Sequence, residues 1–237
     1  MIQYFDKILR GTENEDTLVI VQSLKSMVGQ RLTFLNYYKE IPVSYDATLT
    51  NVENDMIEFE VHEYQAKALS IERKTLILSH EKSSFRDDIV AEAFYVNIAK
   101  KKVILCKFGY AKIHSEMRRF VRVKLDRQVE IDLVLEKSLL KGHLNDLSLG
   151  GAAVSITSSD AIVAGLEINI ILRLMDMVNG KDMKIDLMAK VIKIIGEEAP
   201  FICLLEFRPE KYSQQQISYY INQRQVEIIK ELKELVI

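Results

Sequence analysis

Hydrophobic positions along the chain follow two different periods. Residues 16–28 place Leu18, Val21, Leu24, Met27 and Val28 at three- and four-residue spacing, which predicts a helix, and Gly29 supplies a stop. From residue 31 the period falls to two, with Leu32, Phe34 and Asn36 set against Thr33, Leu35 and Tyr37. Segments 44–51, 56–62, 74–80, 89–98 and 102–108 also read as strands, parted by turn-like clusters such as NVEND and AKKK. Short strands in this number and spacing predict a small antiparallel barrel or sandwich.

A second block repeats the theme. Segments 127–135, 139–146, 152–156, 167–174, 184–195 and 201–207 read as strands, and the pieces between them carry Gly165, Asn179-Gly180 and Glu198-Ala199-Pro200. The stretch VNGKDMK at 178–184 is a hairpin turn by composition. From residue 212 the helical period returns, with Ile217, Tyr220, Ile221, Ile228, Leu232 and Leu235 on one stripe. Glu227, Lys230, Glu231, Lys233 and Glu234 lie mostly opposite, and Ser213 is placed to cap this helix. The simplest role for the helix is to close one end of a barrel. Pairing with another chain is the alternative, which leaves a homodimer open.

The fold expected is therefore mainly β: two small antiparallel barrels, the second followed by an amphipathic helix. The boundary falls near residue 114, giving a strand-rich domain over 1–113 and a second domain over 114–237, with a linker at 114–126 and the helix at 212–235.

Composition narrows the classes of function. The formal net charge of −2 argues against a basic coat for nucleic acid. Cys106 and Cys203 sit in apolar runs far apart, as core thiols in a reducing cytoplasm would. The opening MIQYFDKILR is followed by polar GTENED rather than an apolar stretch, so no secretory signal is expected. The longest apolar segment, 161–178, is broken by Glu167, Arg173 and Asp176 and is no membrane span. His62, His80, His114 and His143 have no Cys or carboxylate partner at metal spacing, and HExxH, CxxC, Walker and GxGxxG motifs are missing. Tyr37-Tyr38 and Tyr219-Tyr220 read as core and helix contacts. No enzyme, metal site or cofactor is expected.

Two short elements carry candidate chemistry. Residues 111–127, AKIHSEMRRFVRVKLDR, hold six basic residues against two acidic ones. Within them Arg118 and Arg122 stand four apart, with Arg119 beside the first. A guanidinium is a planar fork of donors that fits phosphate oxygens, and also the O6/N7 edge of guanine, in bidentate fashion. A solvated basic face would have the same composition. The second element, Asn145-Asp146-Leu147-Ser148-Leu149-Gly150-Gly151, lies where one strand ends and another begins. Asp146 and Ser148, two apart on an extended chain, point to one side. A carboxylate there can accept from the N1–H and N2–H edge of guanine, and a hydroxyl can donate to phosphate or carbonyl oxygen. Glycines let backbone approach a ligand or take a positive φ. A purely structural turn, with Asp146 and Ser148 bonding their own backbone, is the competing reading.

Taken together, RxxxR at Arg118 and Arg122, followed at a strand junction by DxSxxG at Asp146, Ser148 and Gly151, resembles the PilZ domain. Val123, Leu125 and the run LSLGGAAV also look like that family, and the resemblance covers about 116–209. It implies a six-stranded barrel that binds cyclic di-GMP, with the arginine linker closing over the ligand. Arg118, Arg119, Arg122, Asn145, Asp146, Ser148, Gly150 and Gly151 are the site residues it implies. Many members carry another arginine where this chain has Met117, which leaves open whether one ligand or an intercalated pair is held. A strand-rich domain before such a module resembles the flagellar-brake type of PilZ protein. The function implied is a receptor whose linker, ordered by ligand, re-orients two barrels and signals to a protein partner in the flagellar motor or polysaccharide machinery. An adaptor that works by protein contact without nucleotide is the alternative, and a nucleic-acid-binding barrel a more distant one.

Overall fold

A computed structural model describes residues 4–79, 85–113, 120–136 and 138–235. The chain divides into two compact units, an N-terminal one carrying strands β1–β7 and a C-terminal one carrying β8–β13 and most of the last helix. Both are mainly β and both close into barrels, as the strand pattern predicts.

The N-terminal unit runs β1 (Phe5–Ile8), α1 (Glu13–Lys25), β2 (Arg31–Tyr38), β3 (Ile41–Glu53), β4 (Met56–Glu60), α2 (Glu63–Glu72), β5 (Lys74–Ile77), β6 (Asp88–Asn97) and β7 (Lys102–Ile113). Strands pair in the order β7-β4-β3-β2-β5-β6, and β6 returns to β7 to close the ring, with β1 added against the far end of β7. Inside lie Phe34, Leu49, Ile57, Phe59, Ile89 and Leu105, all fully buried. Helix α1 adds Ile20, Val21 and Leu24 to this core. It begins three residues before the hydrophobic period does, because Thr12 and Glu15 form a reciprocal capping box.

Two elements escape the hydrophobic pattern. Strand β1 is too short to show a period. Helix α2 sits between two strand-like runs and uses unusual end signals. His62 caps it by accepting from the Tyr64 N–H through Nδ1 at 3.2 Å, and Arg73 ends it in the left-handed conformation at φ 60°. Buried Gln65 of α2 donates to Asn36 of β2, whose oxygen also accepts from Thr75 at 2.7 Å. Asn36 thus shares the inward side with Phe34, while Leu35 and Tyr37 join Leu76, Val90, Ala111 and Ile113 in a second apolar cluster.

The C-terminal unit contains β8 (Arg122–Val134), β9 (Leu139–Ser148), β10 (Gly151–Ile156), β11 (Glu167–Met175), β12 (Asp182–Ile195), β13 (Phe201–Arg208) and α3 (Lys211–Glu234). These strands form a closed six-stranded ring in the order β10-β13-β12-β11-β8-β9. Alternation is clean on β11, where Ile168, Ile170, Leu172 and Leu174 point inward and Glu167, Asn169 and Arg173 outward. The β11–β12 hairpin turns at Asn179-Gly180, with Gly180 at φ +68°. Asp176 organises that turn by accepting from the Val178 N–H at 2.9 Å, and it also accepts from Gln223 of α3 at 2.8 Å.

Helix α3 buries Ile217, Tyr220, Ile221, Ile228 and Leu232, the stripe read from the sequence. Ser213 does not cap it. The helix already starts at Lys211, and the Ser213 hydroxyl donates instead to the Asp186 carbonyl at 3.3 Å. Among the described residues no helix is long and apolar enough to cross a membrane.

Candidate functional site

The site is assembled by strand register. On β8 and β9, Arg122 stands opposite Ser148 and Lys124 opposite Asp146. Across the next rung, Ser148 faces Gly151 and Asp146 faces Ala153 of β10. Residues directly opposite in a sheet project from the same face. Arg122, Lys124, Asp146, Ser148, Gly151 and Ala153 therefore share one face, while Val123, Leu147 and Ala152 between them fill the other, core side. Gly151 and Ala153 are the two small residues of this face, and both are buried.

Asp146 is 2% exposed, an unusual position for a carboxylate on the outer side of a barrel. Its Oδ1 accepts from the Ala153 N–H at 3.1 Å, and its Oδ2 lies 3.5 Å from Nη1 of Arg122. A carboxylate has about four lone-pair sites, so it can serve several donors at once. The Arg122 side chain is 29% exposed and reaches this carboxylate at the outer limit of a hydrogen bond, which leaves most of its fork unengaged by Asp146.

Other motif residues have identifiable structural duties. The Ser148 hydroxyl donates to the Gly151 carbonyl at 3.0 Å and ties off the β9–β10 hairpin, as the structural-turn reading expects. Gly151 is required by β13, because a Cβ there would lie 2.1 Å from the Leu205 carbonyl oxygen. Gly150 is required by an aromatic ring, because a Cβ there would lie 2.8 Å from Cδ2 of Phe120. Positive φ is the reason for neither, since the glycines of that kind among the described residues are Gly29, Gly165, Gly180 and Gly196.

Asn145 occupies the irregularity in β9 between Leu144 and Asp146, and it accepts from the Ser155 hydroxyl at 3.0 Å. Its contact is thus with β10 rather than with Arg122. Arg122, Asp146, Ser148, Gly150 and Gly151 come together at one end of β8, β9 and β10. Arg118 and Arg119, with Met117, His80 and His114, lie outside the described residues.

Two side chains at or near this region were not singled out from the sequence. Phe120 lies against the Gly150 turn; its one sequence signal is an aromatic embedded in the basic run RRFVR. Arg224 of α3 is 5% exposed and reaches β8 just beyond Arg122. It donates from Nε to the Lys124 carbonyl at 3.1 Å, from Nη1 to Glu227 at 2.6 Å, and from Nη2 to Asp126. Lying on the buried stripe of an amphipathic helix, it leaves no periodic trace that would separate it from the polar face.

Elsewhere, Arg173 holds the buried Asp132 through Nε at 3.1 Å and Nη2 at 2.5 Å, a second acid–base pair on the C-terminal barrel. A cavity of about 900 Å³ opens in the N-terminal unit, lined in part by Tyr4, Tyr37, Asn36 and Thr75. Its rim carries Lys7, Lys74 and Lys107 against Glu13, Asp55, Glu72 and Glu92, three positive charges against four negative. Those lysines pair with the local carboxylates, Lys7 with Glu13 at 2.6 Å and Lys107 with Glu92 at 2.8 Å. Such a paired rim offers no excess of positive charge to attract an anion. No group of His, Cys, Asp and Glu suited to a metal occurs among the described residues.

Residues 116–223 match the family model described as PilZ domain. No curated protein matches the sequence. Among solved structures, the Bacillus subtilis inhibitor of motility MotI/DgrA aligns at 15% identity over 84% of this chain and 97% of that one, with a TM-score of 0.43. YcgR from Escherichia coli in complex with c-di-GMP aligns at 12% identity over 98% of this chain and 96% of that one, TM-score 0.44. The K. pneumonia MrkH–c-di-GMP complex aligns at 15% identity over 96% of this chain and 99% of that one, TM-score 0.40.

Proposed function

We propose that the C-terminal barrel, whose residues 116–223 match the PilZ domain model, makes this protein a non-enzymatic receptor for cyclic di-GMP. The observation that carries the reading is the convergence of Arg122 and buried Asp146 on one face of β8 and β9, beside Ser148 and Gly151. Cyclic di-GMP offers two phosphates and two guanines. The fork of Arg122 suits either phosphate oxygens or the guanine O6/N7 edge, and Asp146 suits the guanine N1–H and N2–H donors. Arg118 and Arg119 lie only four and three residues upstream of Arg122, so the chain itself delivers further forks to the same ligand.

Binding neutralises these arginines and orders the segment that precedes β8. Because that segment joins the two barrels, ordering it changes their relative orientation and presents a new surface to a protein partner, with motility control the favoured setting. The shift is limited to the difference in ligand affinity between the two arrangements. A nucleotide-free adaptor is the second reading. It is favoured by one specific observation, that Ser148 and Gly151 already have structural duties in the hairpin.

Calorimetric titration of the full chain with cyclic di-GMP separates the two. The receptor reading expects saturable heat with a dissociation constant around ~1 μM, roughly −8 kcal/mol. It also expects that heat to vanish in Arg122→Ala. Absence of heat from folded wild-type protein would sink the receptor reading and leave the adaptor.

A further inference from the structure

Phe120 stands between the linker arginines and Arg122, and it occupies an unusual place. A side chain begun at residue 150 would meet its Cδ2 at 2.8 Å and its Cε2 at 3.2 Å, so the ring lies against the α-carbon of Gly150. Yet 37% of Phe120 is exposed, whereas Val123 and Leu125 a few residues on are 0% and 8% exposed. Gly150 supports part of this ring, next to the hairpin that carries Ser148 and Gly151, and the rest of it is open to a ligand.

The spacing suits a nucleotide. Strands rise about 3.3 Å per residue, so Ser148 and Asp146 lie ~7 Å apart along β9, and the Gly150 turn continues from Ser148. A guanine edge held by the Asp146 carboxylate leaves the two faces of that base to be covered. An aromatic face stacks on a purine face without any need for hydrogen-bond register.

We propose that Phe120 is a ligand-contacting residue whose ring, backed by Gly150, stacks on a guanine of the bound nucleotide. The inference rests on the cyclic di-GMP reading and adds a base-recognition group to it. It also gives Gly150 a reason in binding, since any side chain there would push the ring off its support.

The chain contains no tryptophan, so Phe120→Trp installs a single indole with no background from other indoles. Cyclic di-GMP should change its emission saturably, at the midpoint measured by calorimetry on the same variant. Phe120→Tyr should bind as wild type does, and Phe120→Ala about tenfold more weakly, within the range for loss of one base–aromatic stack. Melting temperatures, together with Phe120→Leu, which keeps apolar bulk but no ring, separate stacking from folding; Leu should bind as weakly as Ala. If wild type, Ala and Leu bind equally, or the indole emission stays unmoved at saturation, the stacking role is overturned while the receptor reading stands. If wild type does not bind at all, the receptor reading falls and this inference with it.

Discussion

The two barrels share strand number and closure but differ in what their outward faces carry. In the N-terminal unit the second face of β2, β5, β6 and β7 is apolar, with Leu35, Tyr37, Leu76, Val90, Ala111 and Ile113 all buried. Its polar interior group, Asn36 with Gln65 and Thr75, is linked by hydrogen bonds within itself and to the Lys74 carbonyl. In the C-terminal unit the corresponding surface near the start of β8 holds Arg122, a buried Asp146 and small residues at 151 and 153. Closing six strands therefore says nothing about ligand. Among the described residues, one barrel sets a forked cation, Arg122, beside a carboxylate acceptor, the pairing proposed to meet a guanine dinucleotide.

Breaking that face should give the largest effect. Asp146→Ala removes the acceptor from a buried site and leaves the Ala153 N–H without its partner. Cyclic di-GMP affinity should fall by about 2 to 5 kcal/mol, read by calorimetry. Gly151→Ala tests the scaffold beneath the site. Its Cβ would sit 2.1 Å from a backbone oxygen that cannot move without parting β10 from β13. The cost should reach or exceed the roughly 1–3 kcal/mol of ordinary overpacking, measured by urea denaturation.

Arg224→Met keeps bulk but removes the bonds to the Lys124 carbonyl, Glu227 and Asp126. Stability should drop by about 1.5–3 kcal/mol, as for loss of charge-assisted hydrogen bonds. Because those bonds fix β8 immediately after Arg122, ligand affinity should fall as well. In the N-terminal barrel, Thr12→Ala should cost only about 1 kcal/mol, the usual loss for a helix cap, with ligand affinity unchanged.

The smallest effect concerns pH. Hydrogen bonds from Gln223, then from the Val178 backbone, hold the Asp176 carboxyl below its ordinary value. Its contribution is therefore complete above the unfolded-state value and is lost as pH falls through the lower folded value. Between neutral pH and that acid range, Asp176→Asn should show a flatter decline in stability than wild type.

Much of this was legible in the residues. Alternation on β11 and β12 and the Asn179-Gly180 turn are strong local signals, and the structure follows them. Helix α2 was not legible, because its cap is a histidine ring nitrogen and its stop is Arg73 rather than glycine. Ser213 misled because a serine before a helical stripe resembles a cap, while here the helix has already begun. At the site, Arg122 and Asp146, which the PilZ resemblance assigns to one ligand, lie 3.5 Å apart across β8 and β9. The spacing does not reveal that Gly151 answers to β13, that Gly150 answers to Phe120, or that Arg224 reaches in from a distant helix. Those are long-range contacts with no local signature.

Hydrogen exchange of the full chain, with and without saturating cyclic di-GMP, tests the central contrast between the barrels most directly. The account predicts slowed exchange over 118–124 and 146–153, with the N-terminal strands 31–38 and 74–77 unchanged within the barrel core. Slowing confined to the N-terminal unit, or none anywhere at saturation, would contradict it.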